Sequence, residues 1–243
     1  MKLQTLAASG LFLISSFANA GTVTGGALLQ QGDANQIETW LGSGDLDFTN
    51  IYSGTAGVSS AASFHAAADG TGATVSIYGI TLANGDHARI GGYTTVDWGQ
   101  PQADYYPNPV ALIFNLDSLE AQFTQFSPQH AVYVNPEYFP TFGGGHDIWT
   151  GNVILGTCGG FFTNEQCDGY SYSHSYDRDQ GQITVAGDSG FESGNNGLSY
   201  TSWSVNSLEV YTFAPAAPVP LPTAIFLFAP ALAGLGFVRR RRA

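Results

Sequence analysis

The fold of this chain is decided by two apolar stretches, TVSIYGI at residues 74–80 and IGGYTTVDW at residues 90–98. In the first stretch, Val75 and Ile77 recur at every second residue, which is the period of a β-strand. Asn84-Gly85-Asp86 lies between the stretches and has the residue types of a tight turn. The segment therefore predicts a β-hairpin whose second strand covers residues 87–95.

Short strands are predicted along the rest of the chain, because apolar stretches alternate with Gly, Pro and Asn. Beyond the hairpin they cover residues 111–116, 131–135, 147–149, 182–186 and 208–213. Two short helices precede the strands, at residues 34–41 and 60–68. Asp33 and Gln36 have the spacing of a capping box for the first helix, Gly42 follows it, and Ser60 caps the second. This pattern predicts a mainly β fold, an antiparallel two-sheet β-sandwich with short flanking helices.

The N-terminus has the three parts of a secretory signal peptide. Lys2 is the positive residue, residues 6–17 are mostly apolar, and Ala18-Asn19-Ala20 is a small-x-small cleavage site before Gly21. Signal peptidase removes such a segment during export, with Ala18 and Ala20 as the small residues that it recognises. The sequence therefore predicts an exported protein whose folded part begins near Gly21.

The C-terminus also has three parts in a fixed order. They are Val219-Pro220-Leu221-Pro222, an apolar run at residues 223–238, and Arg239-Arg240-Arg241-Arg242 before Ala243. As a helix the run would be about 24 Å long, which is short for a hydrocarbon core about 30 Å thick. Consecutive arginines favour the cytoplasmic side of the inner membrane, so the body of the protein would lie outside. The run predicts a C-terminal hydrophobic helix that spans the membrane or acts in sorting.

This arrangement resembles the PEP-CTERM sorting signal of Gram-negative bacteria, in its Val-Pro-Leu-Pro variant. The resemblance implies recognition by an exosortase, which is thought to cleave near the motif. It also implies a protein tethered to the inner membrane with its body in the periplasm, and found at the cell surface or outside the cell after processing. The alternative is an ordinary C-terminal anchor that is not processed.

Between these signals lies one domain at residues 21–213, followed by a linker rich in Ala and Pro at residues 214–222 and, after the helix, a basic tail at residues 239–243. Of the seven basic residues the body keeps only Arg89 and Arg178, and it keeps all 19 acidic residues, so its formal charge is 2 − 19 = −17. Such a surface repels nucleic acid and anionic lipid. The charge excludes nucleic-acid binding and suits an extracellular protein.

Two cysteines, Cys158 and Cys167, lie nine residues apart in this exported chain. Export favours a disulfide between them. Free thiols or metal binding are the alternatives, and metal binding would need further ligands nearby.

Several segments together resemble the TLDc domain over about residues 40–213. They are Ser63-Phe64-His65, Asp69-Gly70-x-Gly72, IGGYTTVDW at residues 90–98, ALIFNL at 111–116, AVYVNP at 131–136, FGGGHDI at 142–148 and SLEVY at 207–211. The most distinctive residues are Gly91, Gly92, Tyr93, Trp98, Gly143, Gly144, Gly145, His146 and Asp147. The resemblance implies a two-sheet antiparallel sandwich without an agreed catalytic centre. Eukaryotic members are associated with protection from oxidative damage, and several bind the vacuolar proton-pumping ATPase.

The glycine motifs also carry predictions of their own. Gly91 and Gly92 inside a strand predict close packing against an aromatic ring, or a bulge. The run of glycines at residues 143–145 allows positive φ angles. His146 and Asp147 are interpreted as a pair that holds this turn, with a functional site as the alternative. Trp98 and Trp149 are predicted to lie in the core.

Chemistry-bearing residues occur elsewhere, but no catalytic set is complete. Gly187-Asp188-Ser189-Gly190 is similar to the nucleophile segment of trypsin-like proteases, yet neither early histidine, His65 or His87, lies in the setting that such a triad needs. The five histidines have no zinc-site spacing, and paired carboxylates for glycoside hydrolysis are not revealed by sequence. Calcium is the more plausible ion, with Asp45, Asp47, Asp177 and Asp179 as its candidate ligands. Neither pair of acids matches a full EF-hand loop, so these acids are interpreted as solvated loop residues and no cofactor is predicted.

A run of alternating aromatic residues, YSYSHSY at residues 170–176, would place Tyr170, Tyr172, His174 and Tyr176 on one strand face. That face is interpreted as half-buried sheet, with a sugar-stacking surface as the alternative.

The leading hypothesis is a non-catalytic exported TLDc protein of the cell envelope or extracellular matrix, with exosortase, signal peptidase and the inner membrane as its partners. A carbohydrate-binding matrix module, with calcium as an optional aid and extracellular polysaccharide as its partner, is the second hypothesis. An extracellular hydrolase is the third.

Overall fold

The computed structural model describes residues 21–124, 127–151, 153–157, 169–176, 184–187 and 200–217. Several predicted features lie outside these residues: the signal peptide, the Cys158–Cys167 disulfide, Asp177, Asp179, the Val-Pro-Leu-Pro motif, the apolar run at 223–238 and the four arginines. Within the described residues, no helix has both the length and the apolar character needed to cross a bilayer.

The described chain is built mainly from strands. In chain order they are β1 (Val23–Thr24), β2 (Leu46–Thr55), β3 (Thr74–Leu82), β4 (His87–Thr94), β5 (Asp104–Tyr106), β6 (Leu112–Asn115), β7 (Glu120–Phe123), β8 (Val132–Val134), β9 (Thr141–Phe142), β10 (Tyr170–Tyr172) and β11 (Tyr200–Pro215). The α-helices are α1 (Gln31–Leu41) and α2 (Ala61–Ala68), and a short 3-10 helix covers Pro128–His130.

These strands form two sheets. The large sheet has the order β1-β2-β11-β3-β4-β6-β7, with β10 pairing with β11, and the small sheet has the order β5-β8-β9. The predicted hairpin is confirmed: β3 and β4 pair antiparallel from Thr74 opposite Thr94 to Thr81 opposite His87. The mainly β, two-sheet fold with two short helices is confirmed as well, although β1 and β2 run parallel.

The large sheet is buried on both faces. The alternation of Val75 and Ile77 in β3 predicted an apolar residue on one face only. Val75 and Ile77 pack in one apolar cluster with Ile37 of α1. Tyr78 and Ile80 point to the opposite face and pack in a second cluster. That second cluster contains Val132, Val134 and Phe142 of the small sheet. The fold is therefore a sandwich whose large sheet carries α1 on its other face.

Helix α1 begins earlier than predicted because a different capping box forms. Gln30 is the N-cap, and the Asp33 side chain accepts a hydrogen bond from the Gln30 backbone N–H at 2.9 Å. The Asp33 carboxylate also binds Arg89 of β4. The predicted box of Asp33 and Gln36 is wrong, since Asp33 is the third residue of the helix rather than its cap. Gly42 ends the helix in the left-handed conformation, with φ 61°, as predicted.

Helix α2 agrees with its prediction. Ser60 caps it by accepting a hydrogen bond from the Ser63 backbone N–H at 3.2 Å, and Asp69 follows its last turn.

The predicted strands differ more from the structure. Residues 111–116 and 131–135 contain β6 and β8, and residues 208–213 are part of the longer β11. At residues 147–149 only isolated bridges form, and residues 184–186 include a turn instead of a strand. Strand β2 was not predicted, because its middle is polar and only Leu46, Phe48 and Tyr52 are buried apolar residues.

Candidate functional site

The turn that links β9 to the following bridge positions the candidate site. Gly143 and Gly145 have φ angles of 86° and 101°, and His146 has a φ of 68°. Left-handed backbone is uncommon for a residue with a side chain. A Cβ on Gly143 would lie 2.5 Å from the Asp147 carboxyl carbon, so only glycine leaves room for that carboxylate.

The Asp147 carboxylate, on the buried side of this turn, holds a second segment of chain. It accepts hydrogen bonds from the backbone N–H groups of His174 (2.9 Å), Ser175 (2.7 Å) and Tyr176 (2.9 Å). Asp147 is fully buried, so these N–H groups stabilise its charge where water does not. Within the described part of the chain, the predicted pair of His146 and Asp147 does not form, because the backbone N–H groups take the carboxylate.

His146 lies instead in a cluster of aromatic rings. Its ring centroid is 5.3 Å from that of Tyr133, 6.1 Å from Tyr138, 6.2 Å from Tyr105 and 6.4 Å from Trp149. We call these five residues the tyrosine–histidine cluster. Nδ1 of His146 is buried and has no hydrogen-bond partner in the described structure. Burial lowers the pKa of His146 to about 4, so the imidazole is neutral near pH 7.

The three tyrosines give the cluster its partly exposed surface. Tyr105 of β5 and Tyr133 of β8 are direct cross-strand partners, with ring centroids 4.8 Å apart. Tyr138 lies 5.5 Å from Tyr133. All three side chains are partly exposed, whereas Trp149 is buried beneath them. Burial raises the pKa of Tyr105 and of Tyr138, so their hydroxyls are neutral at physiological pH.

The charges near the cluster are acidic. Asp104 and Glu137 are exposed and each adjoins a tyrosine of the cluster in sequence. No described residue other than Arg89 has a permanent positive charge, and Arg89 forms ion pairs with Asp33 and Asp117. The surface therefore combines flat aromatic rings with a negative rim, which suits a neutral or positively charged ligand and repels an anion.

The alternating run at residues 170–176 does not form the predicted single strand face. Strand β10 ends at Tyr172, and the following residues turn to donate their N–H groups to Asp147. Tyr170 and Tyr176 are buried, with exposed fractions of 4% and 0%. The Tyr176 hydroxyl donates to the Ala131 carbonyl at 2.7 Å.

The candidate catalytic histidines are held in structural contacts. His65 has Nδ1 at 2.7 Å from an Asp69 oxygen, and Nε2 at 3.0 and 3.1 Å from the carbonyl oxygens of Asn135 and Tyr138. His87 lies 3.0 Å from the Thr81 hydroxyl. Of the segment at residues 187–190 only Gly187 is described.

Of the candidate calcium ligands, Asp45 lies in a loop as predicted, and Asp177 and Asp179 lie outside the described residues. Asp47 lies in β2 and not in a loop, and its carboxylate accepts from the Thr22 N–H and hydroxyl at 2.9 and 2.7 Å. In the described residues, no group of three His, Cys, Asp or Glu side chains is arranged to hold a metal ion.

The other distinctive motif residues are distributed through the core. Trp98 is buried between the sheets and donates to the Thr74 hydroxyl at 2.9 Å. Gly91 and Gly92 lie in the middle of β4, each against a phenylalanine ring. Tyr93, one residue further, lies on the opposite face from Trp98 and lines an open apolar groove of about 470 Å³ beside Trp40 and Phe213.

These motifs and this fold agree with the comparison against known families, in which residues 23–214 match the TLDc domain. The chain belongs to the TLDc family. The match covers both sheets and both helices of the TLDc domain described above. The comparison with curated proteins found no match.

The most distinctive residues of the TLDc motifs include His146 but not the three tyrosines around it. Tyr133 lies in the quoted segment AVYVNP but had no predicted role of its own, and Tyr105 and Tyr138 lie in polar stretches that contain proline. Tyr105 lies on the edge strand β5 and Tyr133 on the central strand β8, so the pairing of these two strands had to be known before the cluster could be predicted.

Proposed function

We propose that this chain is an exported TLDc protein that is sorted to the cell envelope or extracellular matrix by an exosortase-type system and acts there by binding. The observation that carries this proposal is the order of segments in the sequence. Ala18-Asn19-Ala20 precedes the TLDc domain, and the Val-Pro-Leu-Pro motif, the apolar run and four arginines follow it.

The contacts of His146 and His65 support binding over catalysis. His146, whose pKa burial lowers to about 4, is surrounded by aromatic rings and not by a nucleophile. His65 is held by Asp69 and two backbone carbonyls. A general base needs a nucleophile within hydrogen-bond reach and a free nitrogen to accept its proton, and neither arrangement meets both conditions.

Sorting is tested by following the full-length chain in a host that has the matching exosortase and in the same host without it. We expect the C-terminus to be removed near Val219 and the protein to leave the membrane fraction only when the exosortase is present. The double variant Pro220→Ala, Pro222→Ala should stay membrane-bound, and Pro101→Ala, at an exposed position in the domain, should be sorted normally. An intact, membrane-bound chain in both hosts would show an ordinary anchor instead.

A second candidate function, carbohydrate binding, is favoured by the surface of the tyrosine–histidine cluster. Tyr105 and Tyr133 are partly exposed and lie side by side. The negative face of an aromatic ring attracts the polarised C–H groups on one side of a pyranose, and tyrosine offers this area with little loss of side-chain entropy. Because the rim carries Asp104 and Glu137, we propose neutral or amino sugars, and not uronic acids, as ligands.

Carbohydrate binding is tested on a glycan array and then by calorimetry with the best ligand. Tyr133→Ala should weaken binding about fivefold or more, since a stacked ring contributes on the order of 1–3 kcal/mol. Tyr93→Ala is the matched control, because Tyr93 is also a partly exposed tyrosine but lies in the groove beside Phe213. Repeating the titration in EDTA decides whether calcium assists. Equal affinities for both variants would rule out the cluster as the site.

A further inference from the structure

A buried carboxylate near the start of the domain has no described cationic partner. Glu38 of α1 is 7% exposed, and its Oε1 accepts a hydrogen bond from the Leu46 backbone N–H at 2.7 Å. The ion pairs of the described residues involve His65 and Arg89, and none includes Glu38. A buried carboxylate is costly unless a positive charge lies beside it. A cation within a few ångströms of Glu38 would therefore offset the cost of burying its charge.

The residue that lies next to this carboxylate is Gly21. Gly21 is buried, and a Cβ on it would lie 3.0 Å from Oε1 of Glu38. Adding the Cα–Cβ and N–Cα bond lengths places the Gly21 nitrogen within about 6 Å of that oxygen. The same Cβ would lie 2.3 Å from the Leu46 carbonyl oxygen, so a side chain at this position would collide with the backbone.

The next residues hold Gly21 in this place. The Thr22 N–H and hydroxyl bind the Asp47 carboxylate, and the Thr22 carbonyl accepts from the Phe48 N–H at 2.7 Å. Val23 and Thr24 then pair with β2. The start of the domain is therefore fixed along β2, which keeps the Gly21 nitrogen within about 6 Å of the Glu38 carboxylate.

Gly21 is also the residue that follows the predicted cleavage site Ala18-Asn19-Ala20. Signal peptidase would add water across the Ala20–Gly21 peptide bond, which leaves a carboxylate on Ala20 and an amine on Gly21. An α-amine has a pKa of about 7.7–8.0 and is mainly protonated at neutral pH. Cleavage therefore creates a positive charge beside Glu38.

We propose that the new α-ammonium group of Gly21 is the counter-ion of Glu38, so that removal of the signal peptide completes the folded domain. This inference rests on the proposed export of the chain. The pairing gives the buried Glu38 carboxylate a positive partner. Asp47 is the other acid that faces this segment, and Thr22 occupies it.

The pairing is tested with the chain 21–243 in mild detergent, prepared with a free Gly21 amine or with that amine acetylated. Acetylation removes the charge, and we expect it to raise the unfolding equilibrium constant about tenfold or more, as for the loss of one partner of a buried pair. In Glu38→Gln acetylation should have little effect, whereas in Asp47→Asn, the matched control, the full effect should remain. An equal effect of acetylation in wild type and Glu38→Gln would overturn the proposal.

A second measurement tests the pairing in the wild-type protein, without a substitution. The pH dependence of acylation gives the pKa of the Gly21 amine, which the Glu38 carboxylate would raise and burial alone would lower. A pKa at or below that of the free peptide GTVTG would overturn the pairing. N-terminal sequencing of the exported protein tests the cleavage site separately, so failure of export and failure of the ion pair give different results.

Discussion

Gly92 of β4 lies directly against the ring of Phe142 in the other sheet, where an added Cβ would come within 2.6 Å of Cζ. On the opposite face of the same strand, a Cβ on Gly91 would lie 2.8 Å from the Phe114 ring. The two glycines let an aromatic ring approach β4 from each side. The close packing against an aromatic ring that the glycine pair predicts is therefore present, and at Gly92 that ring comes from the other sheet.

Gly92→Ala is expected to destabilise the domain by about 1–3 kcal/mol, because the methyl group overpacks the contact with Phe142. Urea unfolding measures the change. Gly32→Ala is the control: Gly32 lies in α1 with nothing within 4 Å of an added Cβ, so alanine should stabilise the helix by about 0.5–1 kcal/mol. If both variants raise stability or both lower it, the close contact between Gly92 and Phe142 would be contradicted. The double variant Gly92→Ala, Phe142→Leu should regain part of the loss.

Asp147→Asn is expected to cost about 3 kcal/mol or more, since three backbone N–H groups donate to the charged carboxylate and an amide offers them one neutral oxygen. Chemical denaturation provides the measurement. Asp86→Asn, at an exposed turn, should change stability by no more than about 0.5 kcal/mol. Similar losses in both variants would contradict the role of Asp147 in holding residues 174–176.

The buried His146 predicts that the free energy of unfolding depends on pH between the folded pKa of His146, about 4, and the ordinary value of 6.5. In this window the unfolded chain binds a proton that the folded chain does not, so stability rises with pH. The full contribution, about 3 kcal/mol, is present above pH 6.5 and is lost as the pH falls to 4. His146→Phe keeps an aromatic ring and should flatten this part of the profile of unfolding free energy against pH. An unchanged slope in the variant would show that another group titrates.

Asp97 predicts a second dependence of stability on pH, in a more acidic range. Burial raises the pKa of Asp97, but hydrogen bonds from the N–H groups of Gly70, Gly72 and Gly99 outweigh burial, and the pKa lies below its ordinary value of 3.8. A lowered carboxyl pKa contributes stability that is present above pH 3.8 and is lost as the pH falls through the folded pKa. Asp97→Asn should therefore lose stability at neutral pH and show a weaker decline below pH 3.8. Acid titration monitored by circular dichroism tests this, and parallel profiles for variant and wild type would contradict it.

Features that depend on neighbouring residues in the chain were predictable. The β3–β4 hairpin follows from the spacing of Val75 and Ile77 and from the turn residues between the strands, and α2 follows from the Ser60 cap. Both rest on interactions within a few residues, which the order of amino acids specifies directly. The resemblance to the TLDc domain came from such local motifs and agrees with the family match.

Features that depend on contacts between distant segments were not predictable. Helix α1 starts at Gln31 because Asp33 caps its own first turn and meets Arg89, 56 residues away. His146 joins three tyrosines, and not Asp147, because residues 174–176 take the Asp147 carboxylate from 28 residues further along the chain.

The sequence alone determined the TLDc family, the β3–β4 hairpin and both glycine motifs, because periodicity, turn chemistry and the lack of a side chain are local properties. Only the tertiary structure decided what each glycine faces, where the histidine lies and which carboxylate is buried beside Gly21. Those outcomes depend on which strands become neighbours, and strand pairing brings together residues whose separation along the chain carries no sign of their contact.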